Sequence, residues 1–203
     1  MRFQPAPINS KGKKMKKILL FLLVLTACGL SKAAQYELNR DISRVSFATV
    51  KLEYVIESAS ISSLTGSINE AGLLTLDIPI SGIDTGIGIR NERLNKLFFQ
   101  SDLFPSAKVS AQISNSLLAP ETVVKQLTVP AKVTLYGQTQ ELEFPVNVVK
   151  CGNLLSVAST EPVIIRASQF GIPAKNLTEL AKTVGQIPIS ETVPVNFSLV
   201  FSK

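Results

Sequence analysis

Between residues 36 and 203, apolar side chains recur at every second position, and this period of two constrains the fold more than any other feature of the chain. Leu74, Leu76, Ile78 and Ile80 alternate with Thr75, Asp77, Pro79 and Ser81. The same pattern runs through Leu127, Val129, Ala131, Val133 and Leu135, through Leu142, Phe144, Val146 and Val148, and through Val193, Val195, Phe197, Leu199 and Phe201. Val45 with Phe47, and Val109 with Ala111 and Ile113, mark two more segments. Alternation of this kind puts one strand face on a core and the other in water, which is the signature of an antiparallel sheet. Turn signals at Asn69–Gly72, Tyr136–Gln138 and Cys151–Asn153 separate the runs, and the middle one reads as a hairpin between two long strands. Two short helices interrupt the pattern. One is predicted at Leu94, Leu97 and Phe98 with Asn91 as its cap, the other over Leu177–Val184 with Asn176 as its cap and Glu179 completing a capping box.

About eight strands follow one another without a linker or a change of composition, so residues 34–203 are read as one domain. Long antiparallel strands with free edges invite aggregation, and closing the sheet removes the edges. The expected fold is therefore all-β: a single antiparallel eight-stranded barrel with one or two short helices. Such a barrel is either just filled by its own side chains or able to hold a small ligand. Its inward positions include Phe47, Leu76, Ile78, Val129, Val133, Phe144, Phe197 and Leu199. These strand faces carry almost no charge, and a dry tube suits an apolar guest. Periodicity alone does not separate the hollow barrel from the filled one.

Composition removes much of the enzymatic repertoire. There is no histidine, which excludes a Ser-His-Asp triad, a His-ligated zinc or a His proton relay. The two cysteines, Cys28 and Cys151, are too few for a disulfide framework or a thiolate metal site. No calcium loop or glycine-rich phosphate loop is present, and no metal or cofactor is expected. Asp84-Thr85-Gly86 is the tripeptide of the aspartic proteases, but that chemistry needs two carboxylates sharing a proton and the chain has no second triplet. Cys151 has no base to activate it and is read as a plain strand residue. The chain is expected not to be an enzyme. Its net charge of +6 arises in residues 1–33, which hold seven basic groups and no acid. The remainder has 14 basic against 15 acidic residues and lacks the electrostatic footprint of a nucleic-acid binder.

That basic leader has the order of a secretory signal: Lys16 and Lys17, the apolar run Ile18–Leu25, then small residues. The run is far shorter than the ~20 residues a membrane-spanning helix needs. Translation from Met15 would make the first 14 residues an extension. Ser31-Lys32-Ala33 offers a cleavage site releasing a soluble protein, while Leu25-Thr26-Ala27-Cys28 resembles a bacterial lipobox that would leave Cys28 as a lipid-bearing N-terminus. Both routes predict export, with the mature domain periplasmic or anchored through Cys28.

Several segments resemble the signature of the YceI-like family. They are Ile83-Asp-Thr-Gly-Ile-Gly-Ile-Arg-Asn-Glu-Arg-Leu94, Leu97-Phe-Phe99 and Leu103-Phe-Pro105, then Leu127-Thr128 through Gly137, and Ile165-Arg-Ala-Ser-Gln-Phe-Gly-Ile172. Their order and spacing cover nearly all of the chain beyond the leader. The resemblance implies a periplasmic, lipocalin-like barrel enclosing polyisoprenoids or other long-chain lipids. Asn91, Arg93 and Phe104 stand where the family often has Asp, His and Tyr. The expected function is thus a carrier of a polyisoprenoid, quinone tail or fatty amide. The alternative is a filled barrel acting as a protein-interaction or stress-related structural module without a lipid. Arg90 and Arg166 are candidate head-group contacts at a barrel mouth, or else solvated residues paired with Asp84 and Asp102. Phe99, with Phe98, is a candidate gate or plain core. The oligomeric state is left open.

Overall fold

A hairpin that bends into a longer hairpin, repeated around a ring, builds the domain. The computed structural model describes Met1, Gln4 and residues 34–119 and 121–203. The first stave of the barrel is β1 (Ala34–Leu38) followed by β2 (Arg44–Lys51), and the second is β3 (Val55–Ile61) followed by β4 (Thr65–Asn69). The third joins β5 (Leu73–Pro79) through a single 3-10 turn to the two-residue β6 (Ile83–Asp84). β7 (Ser106–Gln112), β8 (Val123–Leu135) and β9 (Gln138–Cys151) are unbroken. β10 (Leu154–Ser159) and β11 (Val163–Arg166) form the seventh stave and β12 (Thr192–Ser202) the eighth. Each stave pairs antiparallel with the next, and β12 closes the ring by pairing with β1 and β2 on one side and β10 and β11 on the other. The eight-stranded antiparallel barrel expected from the alternation is present, drawn from twelve shorter strands because four of its staves are bent or broken.

Local chemistry fixes the turns. Leu135 pairs with Gln138, leaving Tyr136 and Gly137 as a two-residue loop with φ of 52° and 76°. This is the twist that matches a right-handed hairpin. Cys151 and Leu154 pair around a second two-residue loop, Gly152-Asn153, in which Gly152 alone has a positive φ, of 56°. The β2–β3 turn carries no sequence signal. Leu52 and Glu53 adopt positive φ without being glycine, and the tip is tied down by the Leu52 amide donating to the Pro188 carbonyl at 2.9 Å.

The helices begin earlier than the sequence reading placed them. α1 spans Gly88–Arg93 and runs directly into a π-helical turn at Leu94–Phe99, so Asn91 lies inside the helix instead of capping it. Its Oδ1 accepts from the Thr85 amide at 2.9 Å and from the Thr85 hydroxyl, fastening the helix to the strand end. A short α2 (Asn115–Leu118) follows β7. α3 spans Ala174–Lys182 behind Pro173, and the expected Asn176–Glu179 capping box is not formed. Asn176 is buried, with its amide donating to the Phe98 carbonyl at 2.9 Å and to the Tyr136 hydroxyl at 3.3 Å. In both cases an asparagine that resembled a local cap serves a longer-range contact.

Candidate functional site

The barrel is hollow. A cavity of about 430 Å³ runs inside it, within the range of small-molecule sites. Phe47, Leu76, Ile78, Val129, Val133, Phe144, Phe197 and Leu199 all line it. β8 contributes Val129, Ala131, Val133 and Leu135 to the wall, about 20 Å of strand, which at the usual barrel tilt is about 15 Å along the axis. Phe144 and Phe197 meet edge to face across the lumen wall with ring centroids 5.8 Å apart. Space therefore remains where a filled barrel would have packed side chains.

One end is a floor. Tyr36, Ile68, Leu155 and Phe201 are each about 1% exposed and close it together with Leu117 and Leu118 of α2. The alternation also brings Lys150 inward beside Val146 and Val148, where its Nζ donates to the carbonyls of Glu121 and Gly152 at 3.3 Å. The expectation of almost no inward charge fails here and at the opposite end, because strand termini reach past the apolar lumen to backbone or ionic partners.

The opposite end is the mouth. It is framed by the β2–β3 tip, α1, the π turn, α3 and the segment 184–191. Phe98 and Phe99 sit on the π turn with ring centroids 4.7 Å apart, and both line the cavity. Phe104 stacks on Tyr136 at 4.0 Å, and the Tyr136 hydroxyl donates to Gln100, so the β8–β9 turn supports the π turn from behind. A π-helical turn is rare and recurs at functional sites, where its extra residue re-aims side chains.

Charge is concentrated at this end. Glu57 accepts hydrogen bonds from Lys51 and from Arg90, whose Nη1 and Nη2 lie 2.6 and 3.0 Å from its two oxygens. The hydrogen bond from Lys51, aided by both cations and opposed by partial burial, holds the Glu57 carboxyl below its ordinary range. Arg90 is thus a mouth residue, but its partner is Glu57 on β3 and not Asp84 or Asp102. Arg93 and Glu191 also line the mouth.

Arg166 does not belong to the site. In β11 the alternation turns Ile165 toward the cavity and leaves Arg166 exposed on the outer face. Asp84 is a turn residue: its Oδ1 accepts from the Gly86 amide at 2.8 Å. Cys151 is exposed at the end of β9. Cys28 and the leader fall outside the described residues, Met1 and Gln4 excepted. Among the described residues, no group of His, Cys, Asp and Glu side chains is disposed to hold a metal ion, and no helix is long and apolar enough to cross a membrane.

A closed up-and-down barrel with a greasy lumen, one floor and one mouth defines a calyx, a class built to enclose a ligand. The chain belongs to the YceI-like family, whose domain model matches residues 36–201. Among solved structures it is similar to a polyisoprenoid-binding domain from Saccharophagus degradans implicated in plant cell wall breakdown. That match has 25% identity and a TM-score of 0.79, covering 84% of this chain and 99% of the other. It also shares its fold with Burkholderia cenocepacia BcnA, at 18% identity and a TM-score of 0.58, covering 80% of this chain and 98% of that one. No curated protein matches the sequence.

Proposed function

We propose that the protein is a periplasmic carrier that sequesters one long-chain apolar lipid, of the isoprenoid class or similar, inside its barrel. The observation that carries this reading is the cavity of about 430 Å³ with its almost wholly apolar wall. Removing a chain from water is worth about 0.8 kcal/mol per methylene, so ten buried methylenes supply about 8 kcal/mol before the costs of association. The wall residues Phe47, Leu76, Ile78, Val129, Val133, Phe144, Phe197 and Leu199 make that contact, and Phe99 stands where the chain passes the mouth. The Saccharophagus degradans domain, named for polyisoprenoid binding, supports the choice of ligand class. The leader supports export, ending in a cut after Ala33 or in a lipid on Cys28.

Native mass spectrometry of freshly purified protein tests the proposal, with organic extraction to identify the guest. A co-purifying lipid of defined mass, or stoichiometric uptake of an added isoprenoid, is the expected result. Repeated isolation of an empty protein that takes up no apolar chain overturns it.

A further inference from the structure

Tail burial makes no use of the ionic groups at the mouth. Among the described residues, five charged side chains line the cavity, namely Lys51, Glu57, Arg90, Arg93 and Glu191, and all of them stand at the open end. Three cations face two carboxylates, so the rim carries a net positive charge above an apolar shaft. Glu191 is already engaged, its Oε2 accepting from the Ser168 amide at 3.3 Å. Glu57 alone answers both Lys51 and Arg90. Arg90 spends two of its five N–H donors on it. Arg93 makes no ion pair among the described residues. The side chains of Lys51 and Arg90 are only 15% and 25% exposed, which strengthens their attraction for an anion relative to open water.

We propose that the cargo is an amphiphile with an anionic head, a carboxylate or phosphate on a long apolar tail, held at the mouth by Lys51, Arg90 and Arg93. Glu57 displays the geometry required, since its own oxyanion sits in the fork of Arg90 beside the Lys51 ammonium. The guanidinium fork suits either oxyanion. An incoming anion shares these donors and brings the rim close to neutrality, while the tail descends past Phe99 toward the floor. The polarity of the site thereby fixes the direction of insertion. This inference rests on the carrier reading above, but it fails separately.

The test is a matched series on one twelve-carbon tail: dodecanoic acid, dodecyl phosphate, dodecan-1-ol and dodecyltrimethylammonium, titrated calorimetrically at neutral pH. At least one anion is expected to bind about tenfold tighter than the alcohol, as one charge-assisted contact provides, with the ammonium weakest. The tighter of the two anions identifies the head. Arg90→Gln is expected to remove most of that preference, lowering the affinity for the anions by far more than it lowers the affinity for the alcohol. Glu57→Gln, which removes the competing carboxylate, is expected to raise the affinity for the anions, and it decides the matter should Arg90→Gln not fold. Equal affinity for anion and alcohol overturns the head-group inference and leaves the carrier standing, as does an anion preference unmoved by Glu57→Gln. Failure of all four compounds to bind defeats the carrier reading itself.

Discussion

Val133→Trp places an indole directly into the lumen, because Val133 points inward from β8 and lines the cavity. An indole exceeds an isopropyl group by roughly the volume of three water molecules, about 90 Å³ at ~30 Å³ each. That is about a fifth of the space the lumen offers. The tail loses room for about three methylenes, or about 2.4 kcal/mol, which corresponds to about a 50-fold weaker affinity. The fold should hardly notice, since the ring enters a void and displaces no packed neighbour. The chain contains no tryptophan, so the new indole is also a unique fluorophore. Its emission should be blue-shifted and should respond to added dodecan-1-ol. Thermal unfolding and calorimetric titration of the same sample complete the assay. The reasoning is refuted if binding is unchanged while the melting temperature drops by several degrees. Overpacking a solid core costs about 1–3 kcal/mol, at about 2–4 °C for each kcal/mol in a domain of this size.

The Glu57 carboxyl is held below its ordinary value of 4.5 by Lys51 and Arg90, so its contribution to stability is present above that pH and lost as the pH falls through the lowered value. Thermal melts of the parent and Glu57→Gln should therefore differ at neutral pH and converge in acid; a constant gap would contradict the pairing. Asn176→Ala should cost about 1–3 kcal/mol in urea unfolding, because the Phe98 carbonyl loses its buried donor. Gly66→Ala should destabilise by a similar amount, since its Cβ would fall 2.4 Å from Leu76 Cδ2 and 2.7 Å from the Thr75 carbonyl oxygen. A melting temperature equal to the parent's would show that β4 and β5 yield there.

The ring of strands was open to sequence reading because burial on one face imprints a period that no turn or helix obscures. The residues of the wall could be named for the same reason: in β8 and β9 an inward residue is every other residue. Asn91 and Asn176 misled because a side chain that bonds a distant backbone group looks, in sequence, like one that caps its own helix. The ionic cluster left no trace, since 33 residues separate Glu57 from Arg90 and only the closure of the β2–β3 hairpin against α1 brings them together. Of the two readings open for Arg166, the solvated one holds, because one step of the alternation separates it from Ile165 on the cavity wall. The π turn had no readable signal either, as its Leu-Asn-Lys-Leu-Phe-Phe sequence fits an ordinary helix equally well.

The last strand of the chain is hydrogen-bonded to four others, two on each flank. It acts as a keystone, and it comes after every other strand of the barrel in chain order. Until residues 192–202 are available, the sheet has two raw margins facing each other with nothing between them, each a template for pairing with a neighbouring molecule. Chains that lack residues 192–202 should consequently depend on holdase protection, and their deletion should produce aggregates in place of a smaller folded remnant.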